Sequence, residues 1–322
     1  MSKAHKPRSG SLQYWPRNRS KRAYAKVNSW PEASDPKPLG FAGYKVGMTH
    51  ITFTDNRPNT MTKGEEVSMP VTVIECPPLK IASIIFYKKT DSGLKSSSAF
   101  LSPNIDKELS KKIKLPKKNS KKKLEDYDIK EYEDIRIQVY TQPKLTSIGK
   151  KKPELFELGI GGKMEDKFNW AKENISKEIN ILDIFTEGQH VDIHSITKGK
   201  GMVGPMKRMG ISRTSHKSEK GVRTPANLGA WTGARQWRVA KAGQLGKQQR
   251  KELNKWLLKI DNKPEEINMK SGFKRYGLVK NQYALLKGSV GGSVKGLNIM
   301  TVPMRPNRRH PKEKPSINHI SR

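Results

Sequence analysis

The sequence predicts a mainly β protein, a small barrel or sandwich, that carries long basic extensions. Three observations lead there. Short runs of β-branched and apolar residues recur between Pro, Gly and Asp, as strands do. Helical spacing is confined to three stretches. The charge, 64 Lys and Arg against 30 Asp and Glu for a net +34 in 322 residues, gathers in segments with few periodic apolar positions. Hydrophobic residues make up 34% of the chain, against ~45–50% in typical globular domains. Several stretches must therefore be solvated, or ordered by something other than their own burial.

Strands are expected at Tyr44–Phe53, Val71–Cys76 (VTVIEC), Ile81–Lys88 (IASIIFYK), Ile135–Thr141 (IRIQVYT), His190–Thr197 (HVDIHSIT), Gly277–Lys287 and Leu297–Val302. Asn104 stands as an N-cap before IDKELSKKI, and Pro116 limits any continuation. Asp166–Ile175 places Phe168, Ala171 and Ile175 at helical spacing. Gln248–Lys259 places Leu253, Trp256 and Leu257, with Ile260 just beyond, on one helical face, a packing helix. Breaks fall near Ser92–Ser98 and Ser147–Pro153, and there is no internal repeat.

The distribution of charge says more than its sum. Met1–Lys45 holds ten basic residues and two acids. Lys111–Lys123 has eight lysines in thirteen residues, and Lys198–Lys251 has fourteen basic residues and one acid, Glu219. Glu125–Asp192, by contrast, holds fifteen acids and ten basic residues. A near-neutral folded part carrying cationic arms suits a polyanionic partner, nucleic acid first. The lysine run KKIKLPKKNSKKK lacks aromatics and reads as a solvated loop. The stretch from Gly201 to Gly246 interleaves Arg, Trp and Gly. Guanidinium forks onto phosphate and stacks on bases, Trp231 and Trp237 offer flat faces, and glycine lets backbone approach RNA closely. No window of about 18 apolar residues predicts a membrane span. The first residues lack the apolar core of a secretory signal. One cysteine, Cys76, excludes an internal disulfide framework and suits a reducing compartment. The expected location is therefore cytoplasmic.

Candidate chemistry is sparse. His190, Asp192 and His194 alternate along one strand face, with Val191 and Ile193 inward. That spacing suits a metal, but no further ligand is evident, and a polar outer face is the ordinary reading. The segment GSVGGSVKG (Gly288–Gly296) lacks the Gly-Lys-Ser/Thr ending of a nucleotide loop. It reads as a turn running close to a phosphate backbone. Cys76 reads as a buried strand residue. No nucleophile–base set or carboxylate pair emerges.

The motifs SKAHKPRSGSLQYWPR, GFAGYKVGMTH, PVTVIECPP, VDIHSITKGKGMVGPMKRMGI, LGAWTGARQWRVAKAGQLG and KGSVGGSVKGLNIMTVPMRP follow one another along the chain. In that order they resemble the universal large-subunit ribosomal protein L-three family, in its archaeal and eukaryotic form. Met209 stands where that family commonly has tryptophan, and LGKQQRKELNK replaces a version usually carrying Tyr-His after the glycine. The resemblance implies a translation-protein-type β-barrel with an inserted α/β lobe. It also implies two extensions entering large-subunit RNA: the N-terminal arm, and a central finger whose tip, Gly229-Ala230-Trp231, approaches the peptidyl-transferase region. The expected layout is a basic arm (1–40), the first part of the barrel (41–100), the inserted lobe (101–185), a return to the barrel (186–200), the finger (201–250), a helix and last barrel strands (251–304), and a basic tail (305–322).

By that resemblance the protein is a structural, non-catalytic rRNA-binding constituent of the large subunit. The resemblance further implies binding near the 3′ end of 23S-type rRNA and nucleation of assembly. Its expected neighbours are L-fourteen and L-twenty-four-e, with no membrane, no stand-alone homo-oligomer and no cofactor beyond Mg2+ belonging to the RNA. Expected RNA contacts in the arm are Lys3, Lys6, Arg8, Arg17, Arg19, Lys21 and Arg22. In and beside the finger they are Lys198, Lys200, Lys207, Arg208, Arg213, His216, Arg223, Trp231, Arg235, Trp237, Arg238, Lys241 and Gln244, followed by Lys295, Arg305, Arg308 and Arg309. Two rivals stay open on the residues alone: an RNA-modifying enzyme with basic substrate clamps, and an architectural DNA-binding or chaperone-like protein.

Overall fold

The computed structural model describes residues 8–57, 59–116, 124–225, 227–229, 233, 238–307 and 313–322. The chain forms two compact units. One joins Met1–Ala23 to Ile196–Gln249, and the other joins Tyr24–Ser195 to Arg250–Arg322. The described elements are, in order, β1 (Gly40–Thr54), β2 (Glu66–Glu75), β3 (Leu79–Thr90), β4 (Gly93–Leu101), β5 (Asp134–Tyr140), β6 (Leu155–Gly159), α1 (Met164–Asn174), β7 (Glu178–Ile179), β8 (His190–Ile196), β9 (Gly201–Val203), α2 (Pro205–Met209), β10 (Gly243–Leu245), β11 (Gln249–Asp261), β12 (Tyr283–Lys287), β13 (Leu297–Thr301) and β14 (Ser316–Ile320). The protein is mainly β.

In the larger unit seven strands form one sheet in the order β13-β8-β11-β12-β2-β1-β14. The first half of β1 also pairs antiparallel with β13, from Gly40↔Thr301 to Tyr44↔Leu297. Six strands therefore close a hydrogen-bonded circuit, and β14 adds to the second half of β1 from Ile51↔Ile320 to Thr54↔Ser316. Closure leaves those six strands without free edges. Val71, Val73, Ile74, Leu285, Leu286 and Ile299 are all buried here. The continuous apolar run of β2 makes sense because both faces of that strand are covered.

The chain crosses from β2 through Cys76-Pro77-Pro78 into a second sheet, ordered β4-β3-β5-β6 with β7 beside β3. Helix α1 buries Phe168 and Ala171. Phe86 on β3 stacks on Tyr127 at 4.8 Å and 9°.

Polar groups inside this unit are partnered in specific ways. The buried Glu75 carboxylate accepts from the backbone N–H groups of Lys280 (2.9 Å) and Asn281 (3.0 Å), the Asn281 amide (2.8 Å) and the Tyr276 hydroxyl. Burial first, and then the Glu75 charge, pushes the Tyr276 hydroxyl far above its ordinary value. Asp55 closes the β1–β2 connection by accepting Arg57 Nε (2.8 Å), Arg57 Nη2 (2.7 Å) and Thr62 Oγ1 (2.7 Å). The bonds from Arg57 lead in holding its carboxyl well below the usual range. Cys76 is buried, and burial pushes its thiol up.

Several expectations need correction. Gln248–Lys259 is not a helix. From Gln249 onward it is β11, which pairs with β12 at Leu257↔Leu286 and Ile260↔Ala284. Trp256, Leu258 and Ile260 stand two apart, as on a strand face, while Leu253, Trp256, Leu257 and Ile260 fit a helical one, and Leu253 is 44% exposed. A helix there would leave β8 and β12 without the strand between them, so long-range pairing decides. The segment after Asn104 forms only a 3-10 turn, Lys107–Lys111, with Asp106 and not Asn104 at the N-cap position. Ser92–Ser98 is no break: Gly93–Leu101 is the edge strand β4 on β3. Of Gly277–Lys287 only Tyr283–Lys287 is strand, because Glu75 draws Lys280 and Asn281 into a loop. The tail forms β14 over Ser316–Ile320, and β6 had no counterpart in the sequence reading. The outer face of β8 is not polar surface either. Asp192 and His194 are buried like Val191 and Ile193.

Candidate nucleic-acid interface

The smaller unit is built from the most cationic part of the chain. Its 77 residues hold 19 Lys and Arg and one acid, Glu219, for a net +18. The remaining 245 residues hold 45 and 29, for +16. Self-repulsion at that density opposes compaction. The described residues show how local order forms against it.

Two short strands make the base. β9 pairs antiparallel with β10 from Gly201↔Leu245 to Val203↔Gly243. Below them Lys200 N–H donates to Leu245 O (2.9 Å) and Lys247 N–H to Thr197 O (3.0 Å). Gly246 turns between these bonds at φ +75, where a methyl group would overlap the Lys198 carbonyl oxygen. Only glycine meets both demands. Pro205 opens α2, where its missing N–H costs no hydrogen bond, and Gly210 ends it in the left-handed region.

The N-terminal arm packs within the same unit. Ser20 N–H donates to Lys247 O at 2.7 Å. Arg17 Nη1 donates to Arg208 O (3.1 Å), and Arg8 Nη2 to Arg238 O. Arg208 in turn donates through Nε to Gln244 O (3.0 Å) and through Nη1 to Lys241 O (3.1 Å). The guanidinium groups of Arg208 and Arg238 lie 6.0 and 5.9 Å from the Trp15 ring centre. Met209 is buried against Gly10. Among the described residues the unit thus spends guanidinium N–H groups on backbone carbonyls and aromatic faces, not on carboxylates. Burial, and then the neighbouring Arg17 charge, lowers the Arg208 value, but a guanidinium keeps its proton. Like charges held together in this way are best balanced by an external anion.

Beyond α2 the chain returns on itself, as Thr214 N–H donates to Val222 O (3.2 Å) and Thr214 Oγ1 to Gly221 O (3.1 Å). Arg213 and Arg223 flank that neck, and both are exposed, as is His216 within the loop.

The expected contact residues sort accordingly. Arg8, Arg19, Lys21, Arg22, Lys198, Lys200, Lys207, Arg213, His216, Arg223, Arg238 and Lys241 are exposed in this unit, while Arg17, Arg208 and Gln244 are half-buried. Gln244 turns its amide to Leu245 O (3.2 Å) and Gly246 O (3.0 Å). Lys295 and Arg305 belong to the larger unit, where both are exposed. Lys3, Lys6, Trp231, Arg235, Trp237, Arg308 and Arg309 lie outside the described residues, as do Lys117–Lys123 and most of the finger tip. Sequence reasoning passed over Trp15, the ring around which Arg208 and Arg238 gather. Its signal was an aromatic set among cations in LQYWPRNR.

The glycine-rich loop Gly288–Gly296 is held by its own unit. Lys45 Nζ donates to Val290 O, Lys255 Nζ to Ser289 O (2.9 Å), and Gly291 N–H to Glu252 Oε1 (2.8 Å). Asp192 is spent on Lys251 Nζ (3.0 Å), Asn254 N–H (2.9 Å) and Met304 N–H (3.1 Å). Among the described residues no three His, Cys, Asp or Glu groups gather to hold a metal ion. No helix among them is long and apolar enough to cross a membrane.

Comparison with known proteins gives one consistent result. The family model described as Ribosomal protein L3 matches residues 1–320. The chain is 45% identical over 331 aligned positions to the large ribosomal subunit protein uL3 of Methanobrevibacter smithii, covering 100% of this chain and 98% of that one. It is 42% identical to the protein of that name from Methanothermobacter thermautotrophicus, covering 100% and 98%. It is also 42% identical to that of Archaeoglobus fulgidus, covering 96% and 95%.

Proposed function

This chain belongs to the ribosomal protein L3 family, and from that premise we propose that it is a structural constituent of the large ribosomal subunit in the cytoplasm, where it binds 23S-type rRNA. The observation that carries the reading is the smaller unit, +18 with a single acid, whose arginines are set in place by backbone carbonyls and by Trp15. Phosphate contacts from Lys and Arg supply most of the affinity, while RNA shape and base stacking decide placement.

In finer terms, the six-strand circuit is the family's translation-protein-type barrel, and the second sheet with α1 is its inserted lobe. The N-terminal arm and the finger are its RNA-entering extensions. The finger tip at Gly229-Ala230-Trp231 reaches toward the peptidyl-transferase region. Binding near the 3′ end of the rRNA makes the protein an early nucleator of assembly, next to L-fourteen and L-twenty-four-e. Its role is structural, and Mg2+ enters with the RNA.

The test is the salt dependence of full-chain binding to a large-subunit rRNA fragment. Neutralising about ten phosphates gives a log K against log salt slope of roughly −7 to −9. A slope near zero overturns the proposal. So does duplex DNA that binds equally well or better at matched salt.

A further inference from the structure

One surface of the larger unit runs against the charge of the chain. Beside α1 lies a concavity of about 700 Å3, within the range of small-ligand and peptide-anchor pockets. Tyr127, Tyr132 and Phe168 form its floor. Phe86 braces all three from behind, with ring centres 4.8, 4.9 and 6.5 Å away. The floor is therefore set before any ligand arrives, which lowers the ordering cost of binding. Asp126, Asp128 and Glu165 stand at the rim, with Lys130 as the cation among the described lining residues. The adjoining Glu125 bridges Lys172 at 2.7 Å.

In a chain of net charge +34, an acid-rimmed aromatic pocket repels phosphate and is unsuited to RNA. We propose that it is a docking site for a basic peptide segment of a partner protein, with one large apolar or aromatic anchor between Lys or Arg residues. The rim selects the flanking cations, and the floor takes the anchor. The chain's own run KKNSKKK at Lys117–Lys123 is close in sequence and has the charge, but no apolar side chain. A run of lysines brings no anchor for the floor, so the segment sought is one of another chain that carries both. This inference goes beyond RNA binding and stands or falls separately from it.

The test is calorimetric titration of the full chain with three capped peptides: Ac-KRFKR-NH2, Ac-KRSKR-NH2 and Ac-EEFEE-NH2. The first should bind saturably at one site, at least about tenfold more tightly than either control. Asp128→Asn with Glu165→Gln should weaken it several-fold and leave rRNA affinity unchanged, while deletion of Lys117–Lys123 should leave peptide affinity unchanged. Equal binding of the serine peptide would reduce the site to diffuse charge and overturn the proposal. Peptide affinity that rises on deletion would make the chain's own lysines the occupant. A carboxamide pair that weakens rRNA binding would make the pocket part of the RNA surface.

Discussion

Replacing Gly246 by alanine should loosen the base of the cationic unit and leave the larger unit as it is. The position sits at φ +75, and an added methyl group would overlap the Lys198 carbonyl oxygen and lie 3.0 Å from its carbon. Left-handed backbone costs a non-glycine residue about 1–2 kcal/mol. Forcing extra volume against fixed backbone adds about 1–3 kcal/mol. The sum, about 2–5 kcal/mol, falls on the two bonds that close the base, Lys200 N–H to Leu245 O and Lys247 N–H to Thr197 O. Hydrogen exchange reads this directly. Protection of the Lys200 and Lys247 amides should drop roughly 30-fold to a few thousand-fold, since 1.4 kcal/mol is a factor of ten. The Leu257 amide, bonded to Gln189 O in the larger unit, should exchange as before. Affinity for rRNA should fall in parallel. Unchanged protection at both amides would show that the chain accommodates the methyl group, and that the turn does not hold the base together.

Three further outcomes can be measured. Glu75→Gln sets an amide against the buried N–H groups of Lys280 and Asn281, a loss of about 2–4 kcal/mol. It should lower the melting temperature by roughly 4–16 °C, with Tyr276→Phe costing less, and a shift under about 2 °C would refute the role. For His194, burial leads and the nearby Lys251 charge adds in lowering its pKa from 6.5 to about 4. Its contribution to stability is complete above pH 6.5 and is lost as pH falls toward 4. Denaturant midpoints at pH 7, 6 and 5 should therefore decline, and His194→Asn should flatten them; identical slopes would exclude His194 as the cause. Trp231→Ala should leave melting of the full chain within about 0.5 kcal/mol of the parent while impairing ribosomes that contain it. A lost melting transition would instead place Trp231 in a core.

Much of the strand content was legible because β-branched runs such as VTVIEC and IASIIFYK carry their preference locally. Helix α1 was legible for the same kind of reason, since Phe168 and Ala171 stand three apart on one face. β11 was not, because Trp256, Leu257, Leu258 and Ile260 satisfy a helical and a strand period alike. β4 and β14 were missed because both are short on buried apolar residues and rely on the neighbouring strands β3 and β1. At the candidate interface the cations were legible one by one. The gathering of Arg8, Arg17, Arg208 and Arg238 was not, because their partners are backbone carbonyls and Trp15, which carry no pattern of charge.

The sequence by itself determined the kind of partner this protein seeks, since net charge and its crowding into three segments are properties of composition that folding does not alter. It also determined, through motifs in family order, the family to which the chain belongs. The tertiary structure alone decided that β1 meets both β13 and β14, that the arm and the base of the finger pack within one unit, and that an acid-rimmed aromatic hollow opens beside α1. Each of these joins residues far apart in the chain. Whether such contacts form depends on hydrogen-bond pairing and close approach in space, which no local run of side chains encodes.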